Sequence, residues 1–284
     1  MMDRRDYKYV LAGQESSTDA IDEYKRLKFQ NQLPQYLISN LFKKEDFSFV
    51  KDGFEILDSG FGAACFSEFV LDSSSADNMK INAVDRLEPL LKYTISEMNE
   101  SRATIFNPIV NNFLTLDDVG SASQDLAITR YTFQHVPYEM DKYARSINRV
   151  LKPGGKFFII DGDNISSNIQ TFDKEFNEQV IKVSYGLESF HPQSCPLIYR
   201  SLYEEGFVVN EKRHFLSEFT TEKHLLDERK VWEMRFKKVK SFIASILGGR
   251  KEAEIYVGKF LDAFYDKNTM FYMNQFGFIA EKAA

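Results

Sequence analysis

The stretch "FEILDSGFGAAC", residues 54–65, decides how the chain is read. An apolar strand ends on Asp58 and runs into Gly60 and Gly62, but Cys65 stands where a third glycine is expected. Glycine permits backbone angles and close approaches that a Cβ blocks. A helix starting just after such a turn points its free N–H groups back at whatever lies there. A dinucleotide site uses G-x-G-x-x-G, with the third glycine giving close helix–strand packing. Cys65 breaks that pattern. A nucleoside with no phosphate to cradle needs only the first two close approaches.

Working outward, the pattern repeats. "KINAVDR" is a second strand with Asp85 near its end, where a carboxylate can accept both hydroxyls of a ribose, and "LEPLLKYTISEMNE" is its helix. "ATIFNPIV" reads as a third strand, with Pro108 weakening the assignment. "DLAITRY" is a fourth, "YEMDKYARSINRVLK" a helix, "PGG" a turn and "KFFIIDGD" a fifth strand. Strands alternating with helices over about 110 residues predict βαβ units and a parallel sheet. "FVVNEKRHFL" and "MFYMNQFGFIAEK" are later strands; in the second, Phe271, Met273 and Gln275 share one face, with Tyr272, Asn274 and Phe276 on the other. Before the sheet, "SSTDAIDEYKRLKFQNQL" carries Ser/Thr/Asp caps and then Ile21, Tyr24 and Leu27 at helical spacing, until Pro34 breaks it.

Composition narrows the class. The 284 residues are 43% hydrophobic with 26 Phe, enough for a large aromatic core. A net charge of −6 shows no basic footprint for nucleic acid. No apolar run reaches the roughly 18 residues of a membrane span, and "MMDRRDYKYV" has no apolar leader region. Cys65 and Cys195 make no disulfide framework. The expectation is a soluble cytoplasmic protein with no nucleic-acid or membrane partner.

The set "ILDSGFGAA", "INAVDR", "DLAITRYTFQHVP" and "SINRVLKPGGKFFIIDGD", in this order, resembles the Rossmann-like (class I) S-adenosylmethionine-dependent methyltransferases of the small-molecule type. "RVLKPGGKFFIID" is the most specific piece. The last strand looks like that family's final antiparallel strand, and "DEYKRLKFQNQL" like its N-terminal cap helix. The resemblance implies an α/β doubly wound, mostly parallel, seven-stranded sheet whose last strand is antiparallel. It divides the chain into a helical cap over 1–50 and a cofactor-binding domain over 51–284, with helical insertions at about 165–200 and 217–267. The implied cofactor is S-adenosylmethionine, and the implied partner a small-molecule methyl acceptor of the kind found in secondary metabolism; a homodimer is a further expectation.

Carried over by position, Asp58, Gly60 and Gly62 line the methionine and ribose part of the cofactor, and Asp85 holds the ribose hydroxyls. Arg86 and Leu87 lie near the adenine. Thr129 and Arg130 approach the amino-acid end, and Gln134 stands at the mouth with His135. The family's loop reads G-x-G-x-G, and Ala64 replaces its third glycine. The acidic residue usual after the third strand is missing, so Val110 or Asn111 would substitute through backbone or amide groups.

Each candidate has a plainer reading beside it. Asp58 could simply form the turn. His135 is either a base, since histidine titrates near working pH, or a packed histidine; His191 in "SFHPQSCP" is a second candidate on a lid. Asp161 and Asp163 either position the acceptor or cap the next helix. Arg26 either pairs with the cofactor carboxylate or lies on a solvated helix face. Cys65 reads as a small filler rather than a nucleophile. No H-x-x-x-H or C-x-x-C spacing supports a metal. Trp232, Phe236, Val239, Ile243 and Ile246 form one helical face, either a membrane or partner helix or, the favoured reading, one that packs on the sheet or on a second protomer. Tyr7, Tyr9, Tyr24, Phe29, Tyr185, Phe190 and Tyr199 suit a small, partly apolar acceptor. Two further readings remain: the same fold without methyl transfer, as a cyclase or an inactive partner subunit, and a nicotinamide-dependent oxidoreductase.

Overall fold

The computed structural model describes residues 17–187, 190–219 and 221–283. In chain order the elements are α1 (Ser17–Gln32), β1 (Glu55–Ser59), α2 (Cys65–Leu71), β2 (Lys80–Asp85), α3 (Glu88–Ser96), α4 (Glu100–Ala103), β3 (Phe106–Val110), β4 (Gln124–Arg130) and α5 (Met140–Val150). There follow β5 (Leu151–Asp163), β6 (Ile169–Gln170), α6 (Lys174–Gly186), α7 (Ser194–Glu204), β7 (Phe207–Glu218), α8 (Glu222–Leu247), α9 (Arg250–Asp262) and β8 (Met270–Lys282). Short 3-10 turns between residues 34 and 47 connect α1 to the sheet.

The described strands form one eight-stranded sheet with β1 to β5 in the order β3-β2-β1-β4-β5. Those five are mutually parallel, and β8 runs antiparallel beside β5, with Asp163 opposite Asn274, and beside β7, with Glu218 opposite Tyr272. The fold class expected from the sequence is therefore present. The eighth strand is β6, a two-residue pairing with the start of β8 that is too short to carry a period-two signal. Pro108 is accommodated because β3 is an edge strand paired only with β2. The Pro-Gly-Gly segment lies within β5 as an irregularity: Leu151 pairs with Gln124 and pairing resumes at Lys156 opposite Leu126.

Both faces of the parallel strands are covered, which is why β1 and β2 read as continuous apolar runs. On one face Leu57, Val84, Ala127 and Phe157 pack with α5 and α7. On the other Ile56, Ile81, Ile128 and Phe158 pack with Phe42, Phe47 and α2. A third cluster joins α6, α8 and α9 to Phe271 and Met273 at the start of β8; Trp232, Phe236 and Ile243 bury there, so the apolar face of α8 is used within the chain. Phe271, Met273 and Gln275 are all buried, as their shared face requires. Among the described residues no helix is long and apolar enough to cross a membrane.

The strand order turns back between β1 and β4, so the loops leaving their carboxyl ends diverge and open a crevice. Helix α1 lies across this end. Tyr24 stacks edge-on against Tyr93 of α3 with ring centroids 5.2 Å apart, and Lys28 pairs with Glu68 of α2 at 2.5 Å.

Candidate functional site

A cavity of about 360 Å³ occupies that crevice. Its floor is the β1–α2 turn. Gly60 has φ +82°, and a Cβ there would lie 2.3 Å from Thr132 Oγ1; Gly62 has φ +53°. The space left by the missing Cβ at Gly60 is therefore taken by Thr132, so the glycine serves the packing of two adjacent loops. Ala64, with φ 61° and fully buried, precedes α2, and Tyr131 after β4 has φ 54°. Non-glycine residues in this region store strain, which concentrates at functional sites.

Asp85 ends β2 and faces the turn. Its Oδ2 accepts from Gly62 N at 2.9 Å and its Oδ1 from Leu87 N at 3.0 Å. A carboxylate has about four lone-pair sites, so acceptor capacity is left over. Burial raises the Asp85 carboxyl, and those two N–H groups oppose the rise. Asp58 is pushed up to about 7 by burial, against a hydrogen bond from Ser67 Oγ at 2.6 Å and with the Asp85 charge adding to the rise. Thr94 Oγ1 donates to Gly62 O at 2.7 Å, tying the turn to α3.

The loop after β4 forms one side. Gln134 N donates to Asp161 Oδ2 at 3.3 Å, and Gly162 N and Ser194 Oγ contact Asp161 Oδ1 at 2.8 and 3.5 Å. Asp161 is fully buried, pushed up to about 7 by that burial, and lies behind the loop rather than in the cavity wall. His135 lines the cavity and stacks near Phe190, with centroids 6.0 Å apart. Burial lowers it to about 4, with Arg86 and Arg26 contributing, so the imidazole is neutral at pH 7.

The roof comes from the cap and from α8. Arg26 is held by Glu23 at 2.6 Å and by Gln30 Oε1 at 2.6 Å, and Lys238 of α8 pairs with the same Glu23. Arg235 lies over the Trp232 ring at 4.8 Å. Buried polar atoms without a hydrogen bond line the cavity from several sides: Arg130 Nε, Gln134 Oε1, His135 Nδ1, Ser166 Oγ and Arg235 Nη1. Buried polar groups are normally satisfied, so this set marks a place built for a polar ligand.

Residues 57–159 match the methyltransferase domain family. Among solved structures, a Haemonchus contortus phosphoethanolamine N-methyltransferase in complex with phosphomonomethylethanolamine and S-adenosylhomocysteine is 19% identical with a TM-score of 0.57; the alignment covers all of this chain but 61% of that one. The cyclopropane synthase MmaA2 of Mycobacterium tuberculosis is 11% identical with a TM-score of 0.59, covering 98% of each chain. The [4+2]-cyclase SpnF is 14% identical with a TM-score of 0.52, covering 85% of this chain and 78% of that one. These likenesses establish the fold. No curated protein sequence matches the chain.

The cavity brings together Arg26, Asp58, Gly60, Gly62, Asp85, Arg86, Arg130, Gln134 and His135 of the residues singled out from sequence. Others lie elsewhere. Val110, the last residue of β3, is 48% exposed, and Asn111 Nδ2 donates to Asp118 Oδ2 at 2.5 Å; neither lines the cavity. Thr129 is fully buried, its Oγ1 donating to Ser59 O at 2.7 Å. His191 supports the loop from outside: its N donates to Gln134 O at 3.0 Å and its Nδ1 accepts from Gln193 N at 3.1 Å. Asp163 is also outside the wall. Arg130 lends its terminal nitrogens to Asn31 Oδ1 at 2.7 Å and Tyr36 O at 2.5 Å, tying sheet to cap. Cys65 lines the cavity with its thiol raised by burial, a state that disfavours the nucleophilic thiolate.

Of the aromatic residues assigned to cap and lid, Phe190 lines the cavity; Tyr24 packs on Tyr93, Tyr185 and Tyr199 are exposed, and Tyr7 and Tyr9 lie outside the described residues. Sequence reasoning missed Glu23, Gln30, Phe113, Thr132, Arg235 and Trp232 as site residues. The α8 set had a signal: Trp232, Arg235, Val239 and Phe242 follow helical spacing, and all line the cavity.

Proposed function

We propose that this protein is an S-adenosylmethionine-dependent methyltransferase acting on a small-molecule acceptor. The observation that carries this reading is the tight turn at Gly60 and Gly62 facing Asp85 at the switch point, in a cavity lined by buried polar atoms without a hydrogen bond. The residues fit the cofactor. Asp85 keeps lone pairs for two ribose hydroxyls, and Arg86, Leu87 and Phe113 form a wall suited to a purine. Asp58 and Arg26 stand at positions suited to the ammonium and carboxylate of its amino-acid end. When bound, the cofactor supplies a methyl group on a sulfonium, so the protein's task is alignment and exclusion of water.

The chain's own residues meet that task. Gln134 and His135 offer unpaired acceptor atoms at the mouth, able to orient a hydroxyl or amine nucleophile. With its proton affinity lowered to about 4, His135 acts as a neutral hydrogen-bond acceptor in the unliganded site. Phe190, Leu187 and Phe242 add apolar surface to the lining.

Thermal unfolding with added ligand tests the reading, because a ligand that binds only the folded state stabilises it. S-adenosylhomocysteine is expected to raise Tm and NAD to leave it unchanged. Absence of a shift at millimolar S-adenosylhomocysteine overturns the proposal, and a shift with NAD alone replaces it with an oxidoreductase. A cyclase shares this fold, so methyl transfer itself is read from conversion of S-adenosylmethionine to S-adenosylhomocysteine on addition of acceptor.

A further inference from the structure

The chain carries a net charge of −6, yet its cavity is lined by five cationic side chains, Arg26, Arg86, Arg130, Arg235 and Lys238, against three carboxylates, Glu23, Asp58 and Asp85. The cationic side chains are not equally engaged. Arg130 is bound to Asn31 and Tyr36, and Arg26 is held by Glu23 and Gln30. Arg235 is different. Its Nη2 makes only long contacts, 3.3 Å to Gln30 Oε1 and 3.3 Å to Tyr36 Oη. Its Nη1 is buried with no hydrogen bond and lies 3.9 Å from Glu228 Oε1.

Glu228 does not complete Arg235. Its oxygens accept from Gln35 Nε2 at 3.0 Å and Tyr36 Oη at 2.7 Å. Burial raises the Glu228 carboxyl, with Arg235, Gln35 and Tyr36 opposing the rise. Lys238 lies one turn on from Arg235 and shares Glu23 with Arg26, so that group has two cations for one carboxylate. The field reaches the reacting end: Arg86, Arg26 and Arg235 all act on His135 in the direction of a cation, with Glu23 the opposing carboxylate.

We propose that the roof of this cavity, centred on Arg235 with Lys238 beside it, seats an anionic group, a carboxylate or a phosphate, carried by the methyl acceptor. Guanidinium is suited to this, since its planar donors match the oxygens of both anions. Trp232 beneath Arg235, with Val239 and Phe242 along the same helix, supplies an apolar wall for the rest of the molecule. The acceptor is thus a small amphiphilic anion. This rests on the methyltransferase reading for the word acceptor; the anion seat itself does not.

The test is titration calorimetry with inorganic phosphate and, separately, malonate, on the protein alone and on the protein with S-adenosylhomocysteine. At least one anion is expected to bind the wild type saturably, and the tighter one identifies the source. Arg235→Gln should weaken that binding by roughly tenfold, the change that goes with losing one charge-assisted hydrogen bond. Arg235→Lys, which keeps the charge but loses the planar pair of donors, should fall between wild type and Arg235→Gln and so guards against simple misfolding, and Lys238→Gln should weaken binding by a few-fold. S-adenosylhomocysteine affinity should stay within about threefold in all three variants. The proposal is overturned if neither anion binds the wild type, or if Arg235→Gln leaves anion binding unchanged. It is also overturned if Arg235→Gln weakens S-adenosylhomocysteine as much as the anion, which would give Arg235 to the cofactor. If the anion binds through Arg235 and S-adenosylhomocysteine does not bind at all, the anion seat stands and the cofactor reading fails alone.

Discussion

Replacing Gly60 with alanine tests whether the turn is held open for Thr132. The structure gives two separable penalties. A φ of +82° costs an L-residue about 1–2 kcal/mol. The added Cβ would also lie 2.3 Å from Thr132 Oγ1 and 3.2 Å from Thr132 Cγ2, an overlap that must be relieved by moving the side chain or the loop. Overpacking of this kind costs about 1–3 kcal/mol. Gly60→Ala should therefore lower stability by about 2–5 kcal/mol. Thr132→Ala alone should cost about 1 kcal/mol or less, because its Oγ1 makes only 3.4 Å contacts with Ser59 O and Arg130 O. In the double variant the φ penalty stays and the overlap with Oγ1 goes. The pair should then be less destabilised than the sum by about 1–3 kcal/mol. Urea unfolding followed by circular dichroism, with the four proteins compared as a double-mutant cycle, reads this directly. Effects that add to within about 0.5 kcal/mol would refute the packing argument and return the glycine to a turn or ligand role.

Other expectations follow from the same site. Asp85→Ala should weaken S-adenosylhomocysteine binding by at least about tenfold in calorimetry. It should also lower stability by about 2 kcal/mol, because the N–H groups of Gly62 and Leu87 lose their acceptor; unchanged stability would show the carboxylate does not hold the turn. Ala64→Gly relieves a left-handed residue worth about 1–2 kcal/mol and loses a buried methyl worth about 0.8, so stability should rise by about 0–1 kcal/mol. A clear loss in urea melts would contradict that conformation. The Asp58 carboxyl is raised by burial from 3.8 to about 7, so the folded state holds its proton where the unfolded state has released it. That contribution is complete below pH 3.8 and is lost as pH rises to about 7. The stability of Asp58→Asn relative to wild type should hence increase from pH 5 to pH 8, and a pH-independent difference in parallel urea melts would place Asp58 in contact with water.

The parallel core was legible because its signals are local. Short apolar runs ending at Asp58, Asp85 and Arg130, separated by helical patterns and a glycine turn, specify strands covered on both faces. Asp85 and the glycines were legible as residues lining the crevice because a strand end at a switch point has a fixed relation to it. The reason for Gly60 was not, since Thr132 reaches it from a loop that only sheet pairing brings alongside. Val110 and Asn111 were drawn in by position at the carboxyl end of β3, but that strand is at the sheet edge, where the Val110 side chain is exposed and Asn111 bonds Asp118. Charge states were hidden for the same reason: the carboxyls of Asp58 and Asp161 are raised to about 7 by burial, and a sequence shows residue type, not distance from water. What the sequence by itself determined was the sheet and the glycine turn at the end of β1, where the pattern is set within one βα unit. What only the tertiary structure decided was the roof. Arg26, Arg235 and Lys238 come from helices at opposite ends of the chain, and their charges share one cavity because α1 and α8 pack together over the switch point.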